Sequence, residues 1–306
     1  MNRKLTKFAL MTNREIYRQY LQQLGMIYNT GEAAIITDWV FEKIAGLKRA
    51  DIIINPDKTT IPEQLTQLNN GLAELMQYKP VQYVLGEAWF YNMKLKVTDD
   101  VLIPRPETEE LVKLVVDDWK TFFQNNLSVD INQRLTMLDI GTGSGCIAIA
   151  IKKQLPQITM HAMDMSVGAL SVAKENAQTQ QTPINFTQAD FLDEHSWEKL
   201  PEFDGIISNP PYIPMNEKEG LDKNVTVYEP HTALFVPDNK PFLFYEKIAA
   251  FGEKHLKNDG KIYVEVHENL AKETAQIFEQ YYLVAIKQDI FEKERMLVIT
   301  KRIATL

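Results

Sequence analysis

The chain of 306 residues has one cysteine, Cys146, so no internal disulfide can form. Its fold must rest on a buried apolar core, and a reducing compartment, the cytoplasm, is expected. It has no apolar run near the ~18 residues of a membrane-spanning helix. The apolar stretch Phe8–Met11 is far too short for the core of a signal peptide, so no membrane partner is expected. It also lacks an excess of positive charge, with 33 Lys and Arg against 41 Asp and Glu, a net of −8. Proteins that grip duplex DNA through its phosphates draw most of that affinity from a basic face. A direct nucleic-acid partner is therefore not expected, although a local patch could still serve a nucleic-acid substrate. The five histidines (161, 195, 231, 255 and 267) are scattered without ligand spacing, which argues against a metal site.

What is present is ordinary globular material, 45% hydrophobic and long enough for about two domains. Residues 1–10 read as a loose tail. From Asn13 to about Leu85 the apolar residues recur at helical steps: Ile16, Tyr17, Tyr20, Leu21 and Leu24, then Ala33, Ile36, Trp39, Val40 and Ile44, then Leu65, Leu68, Leu72 and Leu75 behind Pro62. These predict a small all-α bundle over 1–85. Residues 86–105 alternate apolar and polar around Asn92 and Asp99-Asp100, which predicts a hairpin and linker. The pair Pro104 and Pro106 forces the chain to run extended, and a helix follows through Glu110–Trp119.

Beyond Arg134 the period changes. Short β-like runs at Leu135–Ile140, Ile158–Met163, Ile184–Gln188, Gly205–Ser208, Lys261–Val266, Leu283–Gln288 and Arg295–Thr300 alternate with helical stretches. Such βα alternation predicts an α/β fold over 106–306, a doubly wound, mostly parallel seven-stranded Rossmann-like sheet. Its last two strands form an antiparallel pair at the edge. The acidic excess lies outside the bundle: residues 1–85 carry 10 basic against 8 acidic side chains, the remainder 23 against 33.

The loop Gly141-Thr142-Gly143-Ser144-Gly145 stands where the first strand turns into a helix, beyond a strand's carboxyl end, where ligands bind in open parallel sheets. Glycines there admit a ligand close to the backbone, and the turn is expected to deliver free N–H groups at the helix start. Cys146 fills the third glycine position of the dinucleotide fingerprint, and the G-K-[ST] of a P-loop is missing. The run fits a nucleoside ligand without a pyrophosphate, S-adenosylmethionine, better than NAD. Asp164, 23 positions beyond Gly141, closes the second strand and can accept both hydroxyls of a ribose, or else cap the next helix, a task that Ser166 also fits. Phe191, after the third strand, either covers an adenine ring or packs in the core. Cys146 reads as a small buried residue rather than a reactive thiol.

The strongest chemical signal is Asn209-Pro210-Pro211-Tyr212, directly after the fourth strand. An amide or aromatic amine nitrogen is a poor nucleophile, because its lone pair is delocalised. A site that methylates it must hold the NH2 group in line and accept its two N–H bonds as positive charge develops. Asn209 supplies a side-chain carbonyl and Pro210 a backbone one. The two prolines stiffen the loop and remove competing donors, and Tyr212 offers a flat face. The exocyclic amine of a nucleic-acid base would meet the same demand, and a cofactor-binding module without catalysis could keep the fold.

Taken together, these residues resemble the HemK/PrmC family of peptide chain release factor N(5)-glutamine methyltransferases, within the class I methyltransferases. The likeness runs from about Asp38 to Arg302. It rests on Lys79–Gly86 with Phe90, on Val101-Leu102-Ile103-Pro104-Arg105-Pro106-Glu107-Thr108-Glu109, on the glycine loop, and on Phe203–Pro214. Tyr228-Glu229-Pro230 with Ala233-Leu234-Phe235, and Asp289 with Arg295, also resemble the family. The resemblance implies that Gly141, Thr142, Gly143, Ser144, Gly145, Asp164, Phe191 and Asn209 hold S-adenosylmethionine, with S-adenosylhomocysteine as product. It implies that Asn209, Pro210, Pro211 and Tyr212 hold the glutamine of the Gly-Gly-Gln loop of a class I release factor. The helical domain would help dock that protein. A monomer is the default expectation, independent of the resemblance. Arg105 and Glu107 could touch the cofactor or clamp the domains. Two stretches depart from the family pattern, Val236–Lys240 and Val266–Asn269.

Overall fold

A computed structural model describes residues 11–125 and 135–302; the expected tail at 1–10 lies outside the described residues. The chain divides into two compact units. One holds the residues up to Gly86 together with Lys223–Tyr228, and the other holds Glu87–Asp222 with the residues from Glu229 onward. No helix among the described residues is long and apolar enough to cross a membrane.

The helical unit begins with α1 (Asn13–Leu24), capped by a reciprocal Thr12–Glu15 box, and continues with α2 (Thr30–Val40), capped by Asn29. The helical period that the sequence carries through Ile44 changes at Phe41: residues Phe41–Ala45 form a π-helical turn, and Gly46 ends it at φ 65°. Then come α3 (Arg49–Ile54), α4 (Pro62–Leu75, with proline in its first turn) and α5 (Val81–Leu85). Ile16, Tyr20, Leu24, Val40, Phe41, Leu68 and Leu75 form one buried cluster. Within it Tyr17 and Tyr20 meet Phe41 edge-on at 5.2 and 5.3 Å. The Tyr20 hydroxyl is satisfied by the carbonyl of Leu68, as a buried polar tip requires.

The second unit opens with a hairpin, β1 (Glu87–Phe90) and β2 (Met93–Lys96). Its two turn residues, Tyr91 and Asn92, both have positive φ, the geometry of a twist-matched two-residue turn. Phe90, Met93 and Leu95 are buried in the core of this unit, and the Tyr91 N–H bonds Glu109 Oε1 at 2.9 Å. The hairpin is thus packed onto α6 (Pro106–Asn125) rather than hanging as a tether. The remaining elements are β3 (Thr136–Ile140), α7 (Cys146–Gln154), β4 (Thr159–Asp164), α8 (Val167–Thr179), β5 (Asn185–Gln188), β6 (Phe203–Ser208), β7 (Ile213–Pro214), β8 (Phe235–Val236), α10 (Leu243–His255), β9 (Leu256–Glu265), α11 (Ala271–Glu279), β10 (Tyr282–Gln288) and β11 (Glu294–Lys301). The short helix α9 (Lys223–Tyr228) belongs to the helical unit.

Seven strands form one sheet in the order β10-β11-β9-β6-β3-β4-β5. All pairings are parallel except those of β11, which lies antiparallel to both neighbours and so sits between β9 and the edge strand β10. Side chains alternate across it with period two. Met137, Ile207, Tyr263 and Met296 face one core with α6 and α7, whereas Leu138, Ile206, Val264 and Leu297 face another with α10 and α11. This is the predicted doubly wound α/β sheet. Sequence order reverses at β3, since β4 lies on one side of it and β6 on the other, and that reversal opens the crevice used by ligands in such folds.

Candidate active site

A cavity of about 260 Å³ lies at this reversal, near the lower end of the roughly 300–1,000 Å³ of ligand pockets. Its walls come from the carboxyl ends of the strands (Ile140, Met163, Ala189, Ser208), from Asp99–Leu102, and from Pro230–Ala233. Of the residues singled out in the sequence, Gly141, Gly143, Asp164, Phe191, Asn209, Pro210 and Pro211 line it together, whereas Thr142, Ser144, Gly145 and Tyr212 do not.

The glycine loop is tied down by its own side chains. Gly141 and Gly143 have φ of 71° and 54°, with open space where a Cβ would stand. Gly145, at φ 81°, brings the start of α7 within 3.2 Å of Ala173 as measured from its absent Cβ. Thr142 Oγ1 donates to Asp139 Oδ2 at 2.6 Å, and burial pushes that acid up to about 7. Asn176 Nδ2 holds the carbonyls of Ser144 and Lys96, both at 2.9 Å, and so joins the loop to β2. The free N–H groups expected at this turn are largely spent: those of Gly141 and Thr142 bond the Met163 carbonyl, that of Gly143 bonds Asp164, and that of Gly145 bonds Thr142. The loop therefore offers shape more than anion-binding donors. Cys146 is buried, and its thiol is pushed up to about 12 by that burial, which leaves it protonated and unreactive.

Asp164 accepts the Gly143 N–H on Oδ2 and the Ser166 N–H on Oδ1, both at 2.9 Å. Ser166 itself caps α8, accepting from Ala169 at 3.1 Å. Each carboxylate oxygen of Asp164 keeps a lone pair for a hydroxyl in the cavity. Phe191 lines the cavity and also packs in the core against Trp197 and Phe251, with ring centroids 5.4 and 5.5 Å away.

Three further acids on the wall, Asp99, Asp100 and Asp190, were not assigned a role from sequence, and no Lys, Arg or His is among the described lining residues. Four carboxylates without a cation disfavour a pyrophosphate and suit a ligand with positive charge and hydroxyls. That is the chemistry of S-adenosylmethionine, with its sulfonium, ammonium and ribose, so the residues present fit this cofactor.

Asn209 enters the cavity from the end of β6. Its Nδ2 donates to Thr108 Oγ1 at 3.0 Å, and Thr108 Oγ1 donates to Glu265 Oε2 at 2.7 Å. Tyr212 lies behind the loop, its hydroxyl 3.3 Å from Glu265 Oε1 and its ring 6.0 Å from that of His267. Burial pushes the Glu265 carboxyl up to about 7, opposed by the Thr108 and Tyr212 hydroxyls. Arg105 Nη2 bonds Glu229 Oε1 at 2.5 Å, and the Ile103 N–H bonds the same buried carboxylate at 3.2 Å. The two distinctive segments around Arg105 and Glu229 are therefore locked to each other. Thr108 and Glu229 were quoted in the sequence without a role, and Glu265 lay unremarked in the predicted strand Lys261–Val266; its only signal was an acid at the carboxyl end of a central strand.

The strand order, the glycine loop and the acid-lined cavity define a class I methyltransferase. The Methyltransferase small domain family matches residues 113–227, and the PrmC N-terminal domain family matches residues 15–86. A release factor glutamine methyltransferase of Flavobacterium psychrophilum is 39% identical over 286 residues, covering 93% of this chain and 97% of the relative. Proteins of the same name from Bacteroides thetaiotaomicron (34% identical, 92% and 97% covered) and Lactococcus lactis (40% identical, 78% and 83% covered) are also similar. The chain belongs to the release factor glutamine methyltransferase family.

Proposed function

We propose that this protein methylates the side-chain amide nitrogen of the glutamine in the Gly-Gly-Gln motif of class I release factors. The observation that carries this reading is a single cavity bounded by Asp164 and the other acids on one side and by Asn209, Pro210 and Pro211 on the other. Gly141, Gly143, Asp164 and Phe191 would hold the cofactor, with Asp164 accepting the ribose hydroxyls. When bound, S-adenosylmethionine supplies a methyl group made electrophilic by a sulfonium sulfur and leaves as S-adenosylhomocysteine.

The protein's part is positioning. Asn209 Oδ1 and the Pro210 carbonyl accept the two N–H bonds of the target amide, which orients its nitrogen and stabilises the positive charge that grows on it. The nitrogen gains a carbon bond and then releases a proton to solvent, so no dedicated base is needed. Pro210 and Pro211 have no N–H to compete for the same oxygens.

The test is transfer of labelled methyl to a purified, unmethylated release factor, beside the same factor with the motif glutamine replaced and a duplex DNA control. Label on the native factor alone is expected. Label on the replaced factor, or on DNA in place of the factor, would overturn the proposal.

A further inference from the structure

We propose that Glu265, acting through the Thr108 hydroxyl, sets which end of the Asn209 amide faces the cavity, so that Thr108 and Glu265 are positioning residues for methyl transfer. This inference rests on the proposed role of Asn209 as acceptor for the target amide.

An amide side chain has two ends of nearly equal shape and opposite hydrogen-bonding sense, and only the oxygen end can hold an NH2 group. Free rotation would present the wrong end part of the time, with donors facing donors. The partner of the other end decides the matter. Thr108 and Glu265 are each 3% exposed, so neither can turn to water for an alternative partner. An ionised carboxylate only accepts, so the Thr108 hydroxyl donates its hydrogen bond to Glu265 over 2.7 Å. The Thr108 oxygen is then left with lone pairs alone and can only accept from the group 3.0 Å away. That group must be the Asn209 NH2, and Oδ1 must point away from Thr108. The relay joins the first turn of α6, the end of β6 and the end of β9, residues 101 and 157 positions apart, so the chemistry of Asn209 is fixed by the tertiary fold.

The polarity of the relay reverses when Glu265 gains a proton. A neutral acid can donate to Thr108, whose proton is then free to reach Asn209 and to hold its oxygen, which turns the NH2 toward the cavity. Facing Glu265 are Tyr212 after β6, Tyr245 of α10, Arg295 of β11, Glu107 and Thr108 of α6, and Cys146 of α7. Of these Arg295 favours the charged form and Glu107 opposes it.

The experiment measures labelled-methyl transfer to the unmethylated release factor, and cofactor affinity by calorimetry, for the full chain and for Thr108→Val, Thr108→Ser, Asn209→Ala and the Thr108→Val/Asn209→Ala double variant. Thr108→Val is expected to lower kcat about 10- to 100-fold, with cofactor Kd within about twofold, the mark of a folded protein. Thr108→Ser, which keeps the hydroxyl, should restore most of that loss. In the Asn209→Ala background the valine should cost nothing further, because the relay has nothing left to orient. Equal losses from the valine in both backgrounds, failure of the serine to restore kcat, or an unchanged kcat for Thr108→Val would each overturn the relay while the proposed function stands. Absence of transfer by the wild-type chain would overturn the proposed function and this inference with it.

Discussion

The two ends of the cavity are built from different materials. The Asp164 end is mostly backbone and partly exposed carboxylates. Its glycines are held by Met163, Thr142 and Asp164, and Asp164 and Asp190 each accept a backbone N–H from a residue two positions on. The Asn209 end is a chain of side chains, with Thr108 and Glu265 buried and Asn209 and Tyr212 half-buried, each of which needs the next to present the right atom. A site of the first kind loses affinity in proportion to the group removed. A site of the second kind loses orientation, and with it rate, while affinity stays. The physical distinction is between contacts made equally in the ground and transition states and contacts that matter only as charge develops.

Breaking the second end should have the larger effect. Asn209→Ala is expected to lower methyl transfer by about 100- to 1,000-fold, the range found when one preorganised polar group at a reacting centre is removed. Its cofactor affinity, measured by calorimetry, should stay within about twofold. Comparable losses of both would erase the contrast between the ends. Asp164→Ala should do the reverse: cofactor Kd weaker by about 10- to 100-fold, as for a lost charge-assisted hydrogen bond, with kcat at saturating cofactor close to that of the wild type.

The pH profile sharpens the comparison. The relay needs Glu265 ionised, and burial holds its carboxyl at about 7. The single-turnover rate at saturating cofactor should therefore rise with pH, about tenfold from pH 6 to pH 8. A flat profile across that window would uncouple Glu265 from Asn209.

The smallest effect is one of stability. A carboxyl raised above its ordinary value favours the folded state less as it ionises. The cost is absent below about 4.5 and complete above about 7. Glu265→Gln should thus raise the unfolding free energy at pH 8 by roughly 1–3 kcal/mol, the scale of a buried charge relieved of its desolvation, and leave it nearly unchanged at pH 4.5. Thermal melts at the two pH values would check this. A loss of stability at pH 8 would mean that the hydrogen bonds to Thr108 and Tyr212 outweigh burial of the charge.

The backbone of this architecture was legible in the sequence wherever periodicity is strong. The sheet strands from Leu135 onward, the helices between them and the turn at Asn92 all follow from local pattern and turn chemistry. What escaped depends on tertiary partners. The change from α to π winding at Phe41, inside a continuous helical period, accompanies the packing of that ring between Tyr17 and Tyr20. The position of β11 between β9 and β10 is a matter of pairing, invisible to a two-residue alternation. In the site, motif residues near strand ends could be read one by one. Thr108 and Glu265 gain their meaning only because they meet Asn209 in space. His267, in a stretch that departs from the family pattern, stands against Tyr212 and 3.6 Å from Glu217, a contact with no counterpart in local sequence.

The short helix α9 carries a consequence for anyone exchanging parts between relatives. Although it follows the Asn209–Tyr212 loop along the chain, Lys223 lies over the Tyr78 ring at 5.1 Å and the Tyr228 hydroxyl bonds the Gln77 carbonyl at 2.9 Å. A chimaera cut at Gly86 would transplant the amino-terminal helices without the segment that closes over Gln77 and Tyr78. The transferable module is discontinuous, two stretches of sequence that have to be recombined together.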